Sequence, residues 1–83
     1  MNAVDTSFET DIRQILSQHG RMSADHLGAE DDLYAAGLTS LATVAVMLAL
    51  EDKFNVEFPD TMVGRRTFRS IGSIAEAIKQ IAA

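Results

Sequence analysis

An all-α fold, a bundle of three main helices and one short helix, follows from three features of the sequence. Apolar residues recur at helical spacing in well-separated segments, no stretch alternates apolar and polar residues as a half-buried strand would, and glycines and acidic runs fall between the periodic segments. At 83 residues the chain is long enough for one small core, so residues 1–83 are read as a single domain.

The first helix is expected from about Phe8 to His19. Phe8, Ile12, Ile15, Leu16 and His19 form one stripe, Thr6 and Glu9 suit a capping box, and Gly20 suits a stop. Residues 21–38 have no sustained period and read as a long connection, anchored at Met22, Leu27, Leu33 and Leu38. The second helix is expected from about Ser40 to Phe54, with Leu41, Val44, Leu48 and Phe54 toward the core and Val46, Met47 and Leu50 widening that stripe. After an extended stretch through Val56, Phe58 and Pro59, Asp60 can cap a short third helix reaching Arg66. Ser70 can cap the last helix, whose stripe is Ile71, Ile74, Ala75, Ile78 and Ile81. The most buried side chains should then include Ile12, Leu16, Val44, Leu48, Phe54, Ile71, Ile74 and Ile78.

Composition narrows the function. There is no cysteine, so the chain has no disulfide, thiolate ligand or thiol nucleophile of its own. The net charge of −5 is unevenly spread: residues 1–60 hold eleven acids against three bases, giving −8, and residues 61–83 hold four bases against Glu76, giving +3. An acidic chain is a poor binder of phosphate backbones, which argues against a helix-turn-helix reader of DNA and for a protein or small-molecule partner. No apolar run is long enough to span a membrane and no export signal is recognisable, so a cytoplasmic monomer that binds neither nucleic acid nor membrane is expected. The run Glu30-Asp31-Asp32 reads as a solvated loop, and His19 and His26 have no third ligand beside them, so no metal site is expected.

Ser40 stands out within "AGLTSLATV". A nucleophilic serine needs a base and an orienting group, and the two histidines do not supply them, so catalysis is not expected. A simple N-cap is the ordinary role for a serine at a helix start. Yet Gly37-Leu38-Thr39 lets the chain turn sharply before Ser40, and a helix N-terminus favours a phosphate on that oxygen.

The stretch "DDLYAAGLTSLATVAVMLALEDKFNVEFPD", continued thinly in "FRSIGSIAEAI", resembles the acyl carrier protein family. Asp32-Leu33, Gly37, Ser40 and Leu41 match its motif, as do "EDKF" and "FPD", and the resemblance covers roughly residues 8–80. It implies a four-helix bundle of acyl-carrier-protein type. It also implies that a phosphopantetheinyl transferase attaches 4′-phosphopantetheine from coenzyme A to Ser40, and that the arm's thiol holds an acyl group as a thioester. The imported sulfur accords with the absence of cysteine.

The chain departs from that family at Thr39, where many members have aspartate, and at Ala42 and Ala45, where fatty-acid carriers present carboxylates. "DLYAAGLTS" and the basic "GRRTF" are similar to stand-alone aminoacyl carrier proteins loaded by truncated homologues of class II aminoacyl-tRNA synthetases, of the seryl type. The implied partner is an amino acid:carrier protein ligase that activates glycine or alanine with ATP. Leu41, Ala42, Ala45 and Ala49 are the expected apolar contacts, and Arg65 and Arg66 the expected steering charges. The alternatives are a carrier of fatty-acid or polyketide intermediates, and an unmodified helical interaction domain.

Overall fold

The computed structural model describes the backbone of residues 3–82 and the side chains from residue 8 onward. It contains α1 (Ala3–His19), α2 (Ser40–Phe54), a single 3-10 turn (Asp60–Met62) and α3 (Ile71–Ala82). Helix α1 packs against both α2 and α3, and no strand occurs among the described residues. Helix α1 begins a turn earlier than its apolar stripe suggests, so Thr6 lies inside the helix; its side chain, and the expected capping box, fall outside the described side chains.

Each helix end has a local cause. Helix α1 stops where Gly20 donates to the Leu16 carbonyl and Arg21 takes the left-handed conformation at φ 57°. Gly20 itself is needed for close approach: a Cβ there would lie 2.7 Å from the Leu16 carbonyl oxygen and 3.3 Å from Val46 Cγ2 on α2. Helix α2 ends at Asn55, left-handed at φ 55°, whose N–H bonds back to the Glu51 carbonyl. Helix α3 starts with a reciprocal cap: Ser73 N–H donates to Ser70 Oγ and Ser70 N–H donates to Ser73 Oγ, each at 3.0 Å.

The long connection is tied down rather than draped. Arg13 Nη1 donates to the carbonyls of Ala24 and Leu27. Leu33 N–H donates to the Arg69 carbonyl at 2.7 Å, and Gly72 N–H to that of Ala29 at 2.8 Å. Leu33 and Leu38 are buried, as expected, with Met22 and Leu27 packed half-buried against the core.

The core differs from expectation in α2. Ile12 and Leu16 from α1 and Ile71, Ile74 and Ile78 from α3 are fully buried, as their stripes predict. From α2 the buried residues are Ala42, Val46 and Leu50. Val44 is 51% exposed and Leu48 56%, and Leu41 is exposed as well. Phe54 is half-buried, its ring edge-on to Phe8 with centroids 5.1 Å apart. Between Leu41 and Leu50 only Thr43 is polar, so α2 carries two competing apolar stripes and periodicity alone cannot choose its rotation. The helix is tied near both ends, by buried Leu38 just before it and by Glu51 close to its C-terminus, whose Oε2 accepts from Phe58 N–H at 2.9 Å. His19 is likewise exposed, at the end of the α1 stripe where the helix leaves the core.

The short third helix shrinks to Asp60–Met62, preceded by Pro59 with no side-chain cap. Arg65 and Arg66 lie beyond it, in the hydrogen-bonded turn of residues 65–68 that leads to buried Phe68. Val63 closes the turn with its N–H on the Asp60 carbonyl, and Gly64, a poor helix former, follows at once.

Candidate functional site: a serine at the start of α2

The approach to Ser40 is built by one tight turn. Asp32 Oδ1 accepts from the N–H groups of Tyr34 and Ala35, holding the turn's entry. Leu38 N–H bonds to the Leu33 carbonyl at 2.9 Å and Gly37 N–H to that of Tyr34 at 3.2 Å. This pair of nested bonds, with Leu33 and Leu38 both buried, is the Schellman arrangement. It requires a positive φ at the residue before Leu38, and Gly37 sits at φ 125°.

The turn delivers Thr39, not Ser40, to the capping position. Thr39 is extended at φ −96° and ψ 162°, and its Oγ1 accepts from Ala42 N–H at 3.0 Å. Ser40 is the first residue of the helix proper and is exposed. Aspartate is also a good N-cap, so threonine at position 39 can fill the same structural role. The amides of the first turn of α2, outside the helix's own bonding pattern, add a positive dipole end beside the hydroxyl.

Ser40 lies on the wall of a groove of about 220 Å³ whose other lining residues are Tyr34, Thr43, Val44, Met47, Val63, Gly64, Arg65 and Phe68. The Arg65 guanidinium stacks on the Tyr34 ring, 4.2 Å from its centroid. Thr43 Oγ1 donates to the Thr39 carbonyl at 2.7 Å and lies 3.3 Å from the Tyr34 hydroxyl, fixing that wall to the cap. The lining contains neither histidine nor carboxylate. On the other flank of α2 a hollow of about 450 Å³ runs past His19, Gly20, Arg21, Thr39, Leu41, Ala42 and Ala45. His19 therefore opens away from the Ser40 groove. No cluster that could hold a metal ion occurs among the described residues, and the Asp31 carboxylate accepts from Gly28 N–H at 2.8 Å.

The expected contact residues divide. Leu41 is 84% exposed and Ala45 is exposed, on the same helix face as Val44 and Leu48; Ala49 is half-buried at its edge. Ala42 is not on this surface. It lies one turn before Val46 on the buried stripe, and only its 9% exposed margin borders the hollow. Arg65 and Arg66 are both exposed, but only Arg65 lines the groove. Sequence reading missed Val44 and Leu48 as surface residues and Tyr34 and Val63 as groove walls. The spacing of Leu41, Val44 and Leu48 at i, i+3 and i+7 already placed the first two on one face with Leu41.

A helical bundle that presents a serine hydroxyl beside an apolar groove, with the cap supplied by its neighbour, is a scaffold for a tethered group. Similarity to known proteins gives that class its family. The family model of the phosphopantetheine attachment site matches residues 10–78. The aminoacyl carrier protein of Agrobacterium fabrum is 44% identical over 72 residues, spanning 84% of this chain and 87% of that protein. The D-alanyl carrier protein of Streptococcus uberis is 34% identical over 53 residues, spanning 63% and 67%. The fold matches the carrier chain in the crystal structure of an engineered Bradyrhizobium japonicum glycine:[carrier protein] ligase complexed with a carrier protein from Agrobacterium tumefaciens and ATP. That match has a TM-score of 0.86 at 42% identity and covers 89% of this chain and 99% of the other. The chain belongs to the phosphopantetheine-attachment family of carrier proteins.

The residues around Ser40 fit a phosphopantetheine arm. Ser40 is exposed and its hydroxyl is not used as the cap, the dipole end suits a phosphodiester, and the groove begins beside that serine. When bound, the arm supplies a thiol on a flexible tether, which this cysteine-free chain otherwise lacks.

Proposed function

We propose that Ser40 bears the 4′-phosphopantetheine arm, transferred from coenzyme A by a phosphopantetheinyl transferase. The single observation that carries this reading is the Thr39 cap, which leaves the exposed Ser40 hydroxyl outside the helix-capping role. The arm holds a small amino acid, glycine or alanine, as a thioester. The loading enzyme is a ligase resembling a class II aminoacyl-tRNA synthetase, and a downstream acceptor takes the amino acid. Support comes from the 44% identity to an aminoacyl carrier protein and from the likeness to a carrier chain bound to a glycine:[carrier protein] ligase. The chain itself acts as a carrier and not as an enzyme, a single domain over residues 1–83 that works as a cytoplasmic monomer. No helix among the described residues is long and apolar enough to cross a membrane.

The ligase docks on the outer face of α2. Leu41, Val44, Ala45 and Leu48 present apolar surface there without a carboxylate, and three large apolar side chains exposed on one face are more than the scattered exposure of an ordinary surface. Arg65 and Arg66 steer an acidic patch of the partner toward this face. Intact mass after incubation with coenzyme A and a phosphopantetheinyl transferase tests the attachment. Wild type gains one arm and Ser40→Ala gains none; an arm on Ser40→Ala places the site elsewhere. Radiolabelled glycine and alanine, compared with a fatty acyl group, then test the cargo. Efficient fatty acylation with no amino-acid transfer would overturn the aminoacyl reading while leaving the carrier reading standing.

A further inference from the structure

The groove beside Ser40 carries a charge that distinguishes the states of the arm. Its walls are Val44, Met47, Val63 and Phe68, and its rim holds the Arg65 guanidinium against the Tyr34 ring. No carboxylate lines it. An uncharged group entering this space gains apolar contact. An ammonium entering it loses water, finds no carboxylate of the protein to pair with and meets the like charge of Arg65.

Resting on the assignment of the arm to Ser40, we propose that the groove takes the arm's neutral thiol end and excludes its aminoacylated end, with Arg65 as the residue that sets this preference. A glycyl or alanyl thioester ends in an α-ammonium that is largely protonated at and below neutral pH. Loading therefore moves the arm's end out of the groove and into solvent, where an acceptor can reach it. A neutral acyl chain of similar size stays against Val63 and Phe68. The surface thus presents an aminoacyl cargo and shelters an alkyl one, with no change in the helices.

Propionyl and glycyl groups provide the test, because they have nearly the same shape and differ by a methyl against an ammonium. The protein, labelled at its valine and methionine methyls, is armed on Ser40 with a free thiol, an amide-linked propionyl group or an amide-linked glycyl group. Each form is checked by intact mass and then studied by NMR at mildly acidic pH. The thiol and propionyl arms are expected to shift the methyls of Val44, Met47 and Val63 and to give NOEs to them. The glycyl arm is expected to lose those NOEs and return the methyls toward their positions in the unarmed protein. In Arg65→Glu the glycyl arm should regain the NOEs, since the rim charge now attracts it. Equal NOEs from glycyl and propionyl arms in the wild type, or none from any arm, would overturn the inference while the mass still upheld attachment. Absence of any mass gain would overturn the attachment and this inference together.

Discussion

Helices α2 and α3 are both strongly apolar, yet they use that surface differently. Helix α3 has one stripe, Ile71, Ile74, Ala75 and Ile78, and buries it, leaving Glu76, Lys79 and Gln80 to solvent. Helix α2 buries Ala42, Val46 and Leu50 and leaves Leu41, Val44 and Leu48 exposed on the opposite side. A helix that only completes a core needs one apolar face. The second face of α2 stays largely exposed, and in the proposed function it is the face that serves a partner. In this chain apolar content beyond one stripe reads as function rather than as core.

The largest expected effect comes from deleting the Ser40 oxygen. Ser40→Ala is expected to abolish arm attachment, read by intact mass, with stability unchanged to within about 0.5 kcal/mol because Thr39 holds the cap. Thr39→Ala should do the reverse, costing about 0.5–2 kcal/mol in chemical denaturation while leaving the hydroxyl in place. A large loss of stability in Ser40→Ala would return that residue to a capping role.

Next in size are the truncations that separate the faces. Leu50→Ala and Ile74→Ala each remove a fully buried side chain and should cost about 2–5 kcal/mol, a large share of what so small a domain possesses. Leu41→Ala and Leu48→Ala should stay within about 0.5 kcal/mol of wild type. Equal melting losses on both sides of α2 would mean that the outer face is also structural.

Surface charge gives the smallest effects. Reversal of Arg65 and Arg66 together should slow amino-acid transfer to the armed protein a few-fold at low salt, and added salt should erase the difference. Ala45→Glu places a charge in the apolar face and should impair the ligase more than it impairs the transferase. An unchanged transfer rate in both variants would remove this patch from the docking surface.

How much of the structure is legible in the sequence depends on how many faces a segment offers. Helix α3 was readable because its single stripe and its Ser70 cap agree, and both appear as expected. The Ser40 corner was readable because spacing from Leu33 through Gly37 to Ser40 encodes a turn whose bonds are local. The rotation of α2 was not, because its buried stripe of Ala42, Val46 and Leu50 and its exposed stripe of Leu41, Val44 and Leu48 are both apolar, so periodicity does not choose between them. The division of labour between Thr39 and Ser40 was equally hidden, since either hydroxyl can cap and only the backbone geometry selects one. The groove was out of reach for a further reason. Tyr34 and Arg65 meet across thirty-one positions of chain, and nothing periodic links them.

If the outer face of α2 is reserved for a partner, stability and amino-acid transfer must respond to different residues of this helix. Armed wild type, Leu41→Ala, Leu48→Ala and Leu50→Ala are each melted and each offered radiolabelled glycine by a synthetase-like glycine:carrier protein ligase. Leu41→Ala and Leu48→Ala are expected to melt with wild type and to lose about tenfold or more in transfer, the scale of a truncated interface anchor. Leu50→Ala is expected to melt far earlier. If Leu41→Ala and Leu48→Ala accept glycine as well as wild type does, or lose it only in step with their melting temperature, the outer face is not the docking surface.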